Sequence, residues 1–280
     1  MAWTFGMAAP KAAWATVALA GAALLTMGAD PAPRPIMPPQ LQPYLGKAAL
    51  PDTLKILPPA PQAGDIRYET DRKMFLSTRK LKDTPRWALA INDDNLSPQA
   101  IMKDFSCALG VQLTAQNAPK FTSMIPRIGR DASVATNMTK DVWKRQRPFT
   151  IDKGPICIDP NGPIKGTYDY PSGHNTYSWA IGLILAELAP DRATEILTRA
   201  RAYGESRLVC GVHNMSAVET GRTNGSIVVA ALHSSPAFRA DLETARTEIA
   251  AARKAGPAPD AAACAKEAPL LASPYGKPAP

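Results

Sequence analysis

Proline is concentrated towards the two ends of this 280-residue chain, which limits where regular structure can form. Prolines recur every few residues over residues 31–61, and residues 256–280 are again rich in proline and alanine. Because proline fixes φ and lacks a backbone N–H, neither stretch suits a long helix interior. We therefore expect an extended segment over residues 29–63, a folded domain over residues 64–255 and a flexible tail over residues 256–280.

The first 28 residues have the layout of a secretory signal peptide. Lys11 supplies a positive charge, residues 12–25 form an apolar run, and Gly28 and Ala29 offer a cleavage site. An uncleaved membrane anchor is the alternative, although the apolar run is shorter than the ~20 residues that a bilayer span needs. We expect a periplasmic or secreted protein with no integral membrane domain after cleavage.

An exported chain folds in an oxidising compartment, where cysteines form disulfides. The number of cysteines is even, so one or two disulfides are expected, with buried thiols as the alternative. The sequence leaves the pairing open among Cys107, Cys157, Cys210 and Cys264.

The central part of the chain is predicted to be all-α. Alanine dominates the apolar residues and alternating β-branched clusters are scarce, which favours helix over strand. Ser97-Pro98 and Ser172 fit helix N-caps, and Ser216 to Glu219 fits a capping box. Pro126 is expected to kink or end one helix early. The predicted helices form a single-domain bundle and cover residues 97–109, 118–129, 131–143, 172–188, 191–202, 216–233 and 237–253.

The formal net charge of +8 indicates an anionic partner. The basic residues are spread along the chain, without a long Lys/Arg block or interleaved aromatic residues, so we do not expect nucleic-acid binding. A small anionic substrate is therefore the expected partner.

Three segments carry residues suited to such an anion. Lys140 and Arg147 are seven residues apart, a spacing that would put both on one face of a helix. Pro171–His174 combines a glycine, which allows close backbone approach, with the free N–H groups of a helix start. The third segment, from Ser206, contributes Arg207 and His213.

In chain order these segments match the pattern K-x6-R-P, P-S-G-H and S-R-x5-H-x3-D of the type 2 phosphatidic acid phosphatase superfamily. The chain most resembles the bacterial class A non-specific acid phosphatases, from about Thr84 to about Phe238. That resemblance implies the helical fold shared with vanadium chloroperoxidase. It also implies metal-independent and cofactor-free hydrolysis of small phosphate monoesters, with broad range at acidic pH, and a homo-oligomer, since such relatives often associate.

The resemblance also assigns roles at a single phosphate site. His213 would attack phosphorus and form a phosphohistidine, and His174 would act as general acid and then general base. Three cations would take the place of a metal ion. The third histidine, His233, is outside the pattern and is expected to be structural. The implied phosphate ligands are Lys140, Arg147, Ser172, Gly173 and Arg207.

One position departs from the pattern, because its final aspartate falls on Ala217. That carboxylate normally holds the nucleophilic histidine, and its counterpart in serine proteases is worth ~10⁴ in turnover. Asn214, Ser216, Glu219 or a backbone carbonyl could substitute, with Ser216 or a carbonyl the closer candidates. A working phosphatase is expected. The alternatives are a vanadate-dependent haloperoxidase and a weakly active or non-catalytic phosphate-binding relative.

Overall fold

The computed structural model describes residues 42–276, which contain helices and turns and, over that range, no β strand. The predicted all-α class is confirmed. The expected signal peptide and the first part of the proline-rich segment lie outside the described residues. The α helices are α1 (Thr53–Ile56), α2 (Ile66–Thr78), α3 (Pro85–Asn92), α4 (Pro98–Asp104), α5 (Ser106–Leu109), α6 (Pro119–Trp143), α7 (Gly173–Leu188), α8 (Ala193–Cys210), α9 (Met215–Leu232), α10 (Pro236–Ala255) and α11 (Ala261–Glu267).

Helix α7 lies at the centre and packs against α6, α8 and α9. It starts after its N-cap Ser172, whose hydroxyl accepts a hydrogen bond from the Asn175 N–H, as the sequence predicts. Its contact with α9 is close because α9 carries glycine there: a Cβ at Gly221 would lie 2.7 Å from the Ser172 carbonyl oxygen. This approach brings the start of α7 beside the start of α9.

Helix α6 corrects the prediction of two helices separated near Gly129. It is continuous over 25 residues and contains Pro126. An internal proline costs ~3 kcal/mol, a loss that burial of the large apolar side chains on one face of α6 can offset. The helix ends at Trp143 because Lys144 adopts a left-handed conformation, with φ of 45°. Arg147 therefore follows the helix, and the prediction that it shares a helix face with Lys140 is wrong.

Several other boundaries differ from the predictions. The single helix expected over residues 97–109 is divided at Phe105 into α4 and α5. Helix α8 runs eight residues past the predicted end at 202, to Cys210. The prediction of a capping box from Ser216 to Glu219 is wrong. Helix α9 begins at Met215, and the Ser216 N–H and hydroxyl both donate to the Asp71 carboxylate. Helices α2 and α3 had no counterpart in the sequence prediction.

The two proline-rich ends also need correction. Leu45 and Leu50 are buried in the main core, and the Leu45 N–H donates to Asp131 on α6, so the chain packs on the domain well before residue 64. Near the other end, α11 lies within the expected tail and is tied by the disulfide Cys107–Cys264.

The second disulfide joins Cys157 to Cys210, so the four cysteines form two bridges within the described range. Between residues 42 and 276 no helix is both long enough and apolar enough to cross a membrane.

Candidate active site

The start of α7 presents polar groups to a cavity. The Ser172 hydroxyl oxygen accepts hydrogen bonds from the backbone and side-chain N–H groups of Asn175, at 3.4 and 3.2 Å. Its own proton thus remains able to donate to an anion. Gly173 is the first residue of the helix, where free N–H groups and the helix dipole favour negative charge.

Arg207, in the last turn of α8, is buried with most of its donors unused. Its residue exposure is 1%, and Nε and Nη1 have no hydrogen-bond partner among the described residues. Nη2 donates to Asp94 Oδ1 at 2.8 Å. A buried guanidinium with unpaired N–H groups costs free energy, which an oxyanion in contact with it would offset.

Arg147 and Lys140 come from the end of α6 and the segment after it. Arg147 Nη1 donates to the Val212 carbonyl at 2.7 Å and lies 3.2 Å from His213 Nε2. Lys140 Nζ donates to the Tyr168 carbonyl. Burial, together with the positive charge of Arg147, lowers the pKa of Lys140 to about 7. The lysine is therefore charged mainly below neutral pH.

His213 is held by a carboxylate that the sequence analysis did not identify. Its Nδ1 lies 2.9 Å from Asp169 Oδ1, and both side chains are buried. A carboxylate can only accept, so Nδ1 carries a proton, and in neutral His213 the lone pair is on Nε2, beside Arg147. Burial and the cations Arg147, Lys140 and Arg207 lower the pKa of His213 well below its ordinary value.

His174 lies in the first turn of α7, close to Asp94. Its Nε2 is 3.2 Å from the Asp94 carbonyl oxygen and 3.6 Å from Oδ1 of the same residue. The Oδ1 atom also accepts from Arg207, so one aspartate links the expected acid–base histidine to an expected phosphate ligand. Burial, followed by the charge of Arg207, lowers the pKa of His174 well below its ordinary value.

The structure brings most of the predicted site residues to one cavity of about 370 Å³. Ser172 and Arg207 are not among its lining residues, but Ser172 precedes Gly173 and Arg207 shares Asp94 with His174. The predicted residues that line the cavity are Lys140, Arg147, Gly173, His174 and His213, and its remaining wall is formed by Leu96, Pro126, Gly129, Ala132, Ser133 and Tyr177.

His233 lies outside this cavity, as the sequence pattern implies. Its Nε2 is 3.2 Å from Glu187 Oε2, and its ring meets Phe238 edge-on. Across residues 42–276 no group of three or more His, Cys, Asp or Glu side chains could hold a metal ion.

Sequence reasoning missed Asp169 and the charges behind it. Asp169 stands two residues before Pro171, in the same segment as the P-S-G-H motif, and that proximity was the available signal. Arg145 Nη1 lies 3.5 Å from Asp169 Oδ2, and its Nη2 donates to Asp71 Oδ2 at 2.7 Å. Arg145 also belongs to a motif segment, the one from Lys140 to Pro148.

Comparison with known proteins shows which family this chain belongs to. Residues 128–240 match the PAP2 superfamily. The chain is 40% identical over 214 residues to an acid phosphatase of Zymomonas mobilis, an alignment that covers 76% of this chain and 81% of that protein. It is 34% identical to a non-specific acid phosphatase of Providencia stuartii, covering 75% and 86%, and 31% identical to one of Salmonella typhimurium, covering 69% and 78%. The predicted resemblance is confirmed, and the chain belongs to the acid phosphatase family of the PAP2 superfamily.

Proposed function

We propose that this phosphatase hydrolyses phosphate monoesters through a phosphohistidine formed on His213. The observation that carries the proposal is the setting of His213 Nε2. Asp169 holds the ring from the opposite nitrogen, Arg147 Nη1 lies 3.2 Å from Nε2, and the ring lines the cavity. An unprotonated ring nitrogen beside an oxyanion site is the arrangement that nucleophilic attack on phosphorus requires.

The reaction then has two balanced steps. In the first, the Nε2 lone pair of His213 forms a bond to phosphorus while the bond to the ester oxygen breaks, and His174 gives its proton to that oxygen. In the second, water attacks phosphorus, the P–N bond breaks, and the water proton passes to His174. Inorganic phosphate leaves. Arg207, Arg147 and Lys140 stabilise the charge on the non-bridging oxygens in both steps, so we expect turnover to survive metal chelation by EDTA.

Acidic pH suits the charges that this mechanism needs. His213 must be neutral, and its pKa is lowered, so it stays neutral in mild acid. His174 must be protonated when the leaving group departs, and its lowered pKa requires acid for that. Lys140 must be charged, which its pKa of about 7 allows below neutrality. The lowered pKa values of these three side chains together favour a pH optimum for activity below 7.

Broad substrate range follows from the rest of the cavity wall. Beyond the expected phosphate ligands and His174, its lining residues carry no charge. Recognition would therefore rest on the phosphoryl group, with weak selection among alcohols. We expect kcat/KM for p-nitrophenyl phosphate and phenyl phosphate to be similar.

A periplasmic or secreted location is also part of the proposal. The two disulfides support it, because such bridges persist in oxidising compartments. N-terminal sequencing of the protein recovered from the periplasm or medium should give Ala29 or Asp30 as the first residue, the result of cleavage after Gly28 or Ala29. A full-length protein retained in the cytoplasm would contradict export.

The test of the mechanism is hydrolysis of p-nitrophenyl phosphate by the purified protein. His213→Ala should lose at least ~10³ in kcat, the order expected when a nucleophile is removed. His233→Ala is the matched control, because it removes a histidine outside the cavity and should leave kcat unchanged. Equal rates for the two variants would rule out His213 as the nucleophile.

A further inference from the structure

The carboxylate that the family pattern places four residues after the nucleophilic histidine is absent from this chain. Ala217 occupies that position, fully buried in a small cluster with Ala60 and Tyr170. We propose that Asp169, from the segment before α7, is the positioning carboxylate for His213 and supplies the charge that position 217 lacks. This inference rests on the proposed role of His213 as nucleophile.

The contacts of Asp169 are those of a built site for an ionised carboxylate. Asp169 is fully buried, and its Oδ1 accepts from the Asn214 N–H at 3.2 Å as well as from His213. Its Oδ2 accepts from Asn214 Nδ2 at 2.9 Å and lies 3.5 Å from Arg145 Nη1. Burial raises the pKa of Asp169, and the donors at each oxygen, from Arg145 and Asn214, counter that rise by favouring the charged form.

The backbone and a second charge layer fix the position of this carboxylate. The Asp169 N–H donates to the Arg145 carbonyl at 2.8 Å, so the same residue contacts both the backbone and the side chain of Asp169. Arg145 is itself neutralised by Asp71, whose carboxylate also bonds to Ser216 at the start of α9. The loop before α7 and the loop before α9 are therefore locked together around His213.

None of the side chains considered from the sequence is in a position to replace Asp169. Asn214 donates to Asp169 and so supports it. Ser216 is bonded to Asp71 and Arg145. Glu219 is exposed on α9. Asp169 is the acceptor found at His213 Nδ1 among the described residues.

Asp169 acts through His213 and does not line the cavity. It selects the tautomer with the proton on Nδ1, which leaves Nε2 free to attack, and it stabilises the positive charge that the ring acquires in the phosphorylated intermediate. Loss of the carboxylate should therefore lower kcat and leave anion binding almost unchanged, because the phosphate ligands are untouched.

The experiment compares Asp169→Asn with Asp71→Asn in the full chain. Both substitutions remove a buried carboxylate next to Arg145, but Asp71 does not contact His213. Asp169→Asn should lower kcat ~10²- to 10⁴-fold, following the ~10⁴ known for an amide in the serine-protease triad. The inhibition constant of sulfate should change less than about threefold. Asp71→Asn should reduce thermal stability and lower kcat by less than about tenfold. Equal losses of kcat in the two variants, or an Asp169→Asn variant with near-normal kcat, would overturn the proposal.

A second measurement needs no active variant. With only three histidines in the chain, ¹⁵N-histidine labelling and the variants His174→Ala and His233→Ala assign the His213 ring signals. In the parent protein at neutral pH, His213 should be neutral with its proton on Nδ1. A proton on Nε2 would overturn the proposal. The two proposals fail on different results. An active His213→Ala variant would refute the role of His213 as nucleophile, and with it the proposed mechanism. An inactive His213→Ala variant together with a fully active Asp169→Asn variant would refute only the role of Asp169.

Discussion

Replacing Arg207 with methionine should remove most of the activity without weakening the fold. Nε and Nη1 together carry three N–H groups that have no protein partner in the described structure. A hydrogen bond to a charged group contributes about 1.5–3 kcal/mol. Two such bonds to phosphoryl oxygens would then contribute ~3–6 kcal/mol in the transition state, which corresponds to a loss of ~10²- to 10⁴-fold in kcat/KM.

The same residue should contribute little to stability. Unpaired buried donors cost about 1–3 kcal/mol each, and the variant no longer buries them. The variant also loses the hydrogen bond from Arg207 Nη2 to Asp94. The Asp94 side chain is 38% exposed and can be hydrated instead, so losing this bond should cost no more than ~1 kcal/mol. The melting temperature of Arg207→Met should therefore equal or exceed that of the parent protein.

The assay is kcat/KM for p-nitrophenyl phosphate together with thermal unfolding followed by circular dichroism. Arg201→Met is the control, because Arg201 lies on the same helix but bonds to Glu205 and the Leu271 carbonyl. It should lower the melting temperature and leave kcat/KM within about threefold. An Arg207→Met protein that keeps its kcat/KM and melts at a lower temperature would show that Arg207 is a structural residue and refute the reasoning.

Three further predictions concern charge and covalent structure around the site. The inhibition constant of sulfate should rise between pH 6 and 8, because sulfate stays dianionic while Lys140 loses its proton at a pKa of about 7. Lys140→Arg should abolish that rise. An inhibition constant that does not change with pH in the parent protein would contradict this prediction. Replacing Cys157 and Cys210 by serine should lower the free energy of unfolding by ~4 kcal/mol, because the loop is no longer closed in the unfolded chain. It should also lower kcat/KM, because Cys210 Sγ lies 3.7 Å from Arg207 Nη2, whereas removing the disulfide Cys107–Cys264 should affect stability alone. Ala217→Asp should not raise kcat, since His213 already has a carboxylate; a gain above about threefold would contradict that statement.

Local patterns predicted the helical class and the main elements of the bundle. The predicted N-caps at Ser97 and Ser172 depend on side-chain bonds to the next few residues, which neighbouring sequence determines. The boundaries that differ depend on distant residues. Pro126 stays within α6 because that helix is packed into the core, and Ser216 is bonded to Asp71, 145 residues earlier. No local rule contains those contacts.

In the candidate site, too, features set by neighbouring residues were predictable and those set by distant residues were not. Residues within the three motif segments were predictable because each segment combines suitable chemistry with a helix start or end. The partner of His213 was not predictable in this way, because the family pattern places it four residues downstream, whereas Asp169 lies 44 residues upstream. Cys264 lies in the segment that was expected to be a flexible tail, and its disulfide with Cys107 attaches that segment to the domain.

Trapping of the phosphorylated enzyme is the most direct test of the central claim, that His213 is the nucleophile. The protein is mixed with p-nitrophenyl phosphate, quenched within one turnover in alkali, where phosphohistidine survives, and digested for mass spectrometry. The phosphoryl group should be found on the peptide containing His213 and be absent from the His213→Ala variant. Phosphate on His174 or another side chain, or a first turnover that leaves the protein unlabelled, would contradict the account.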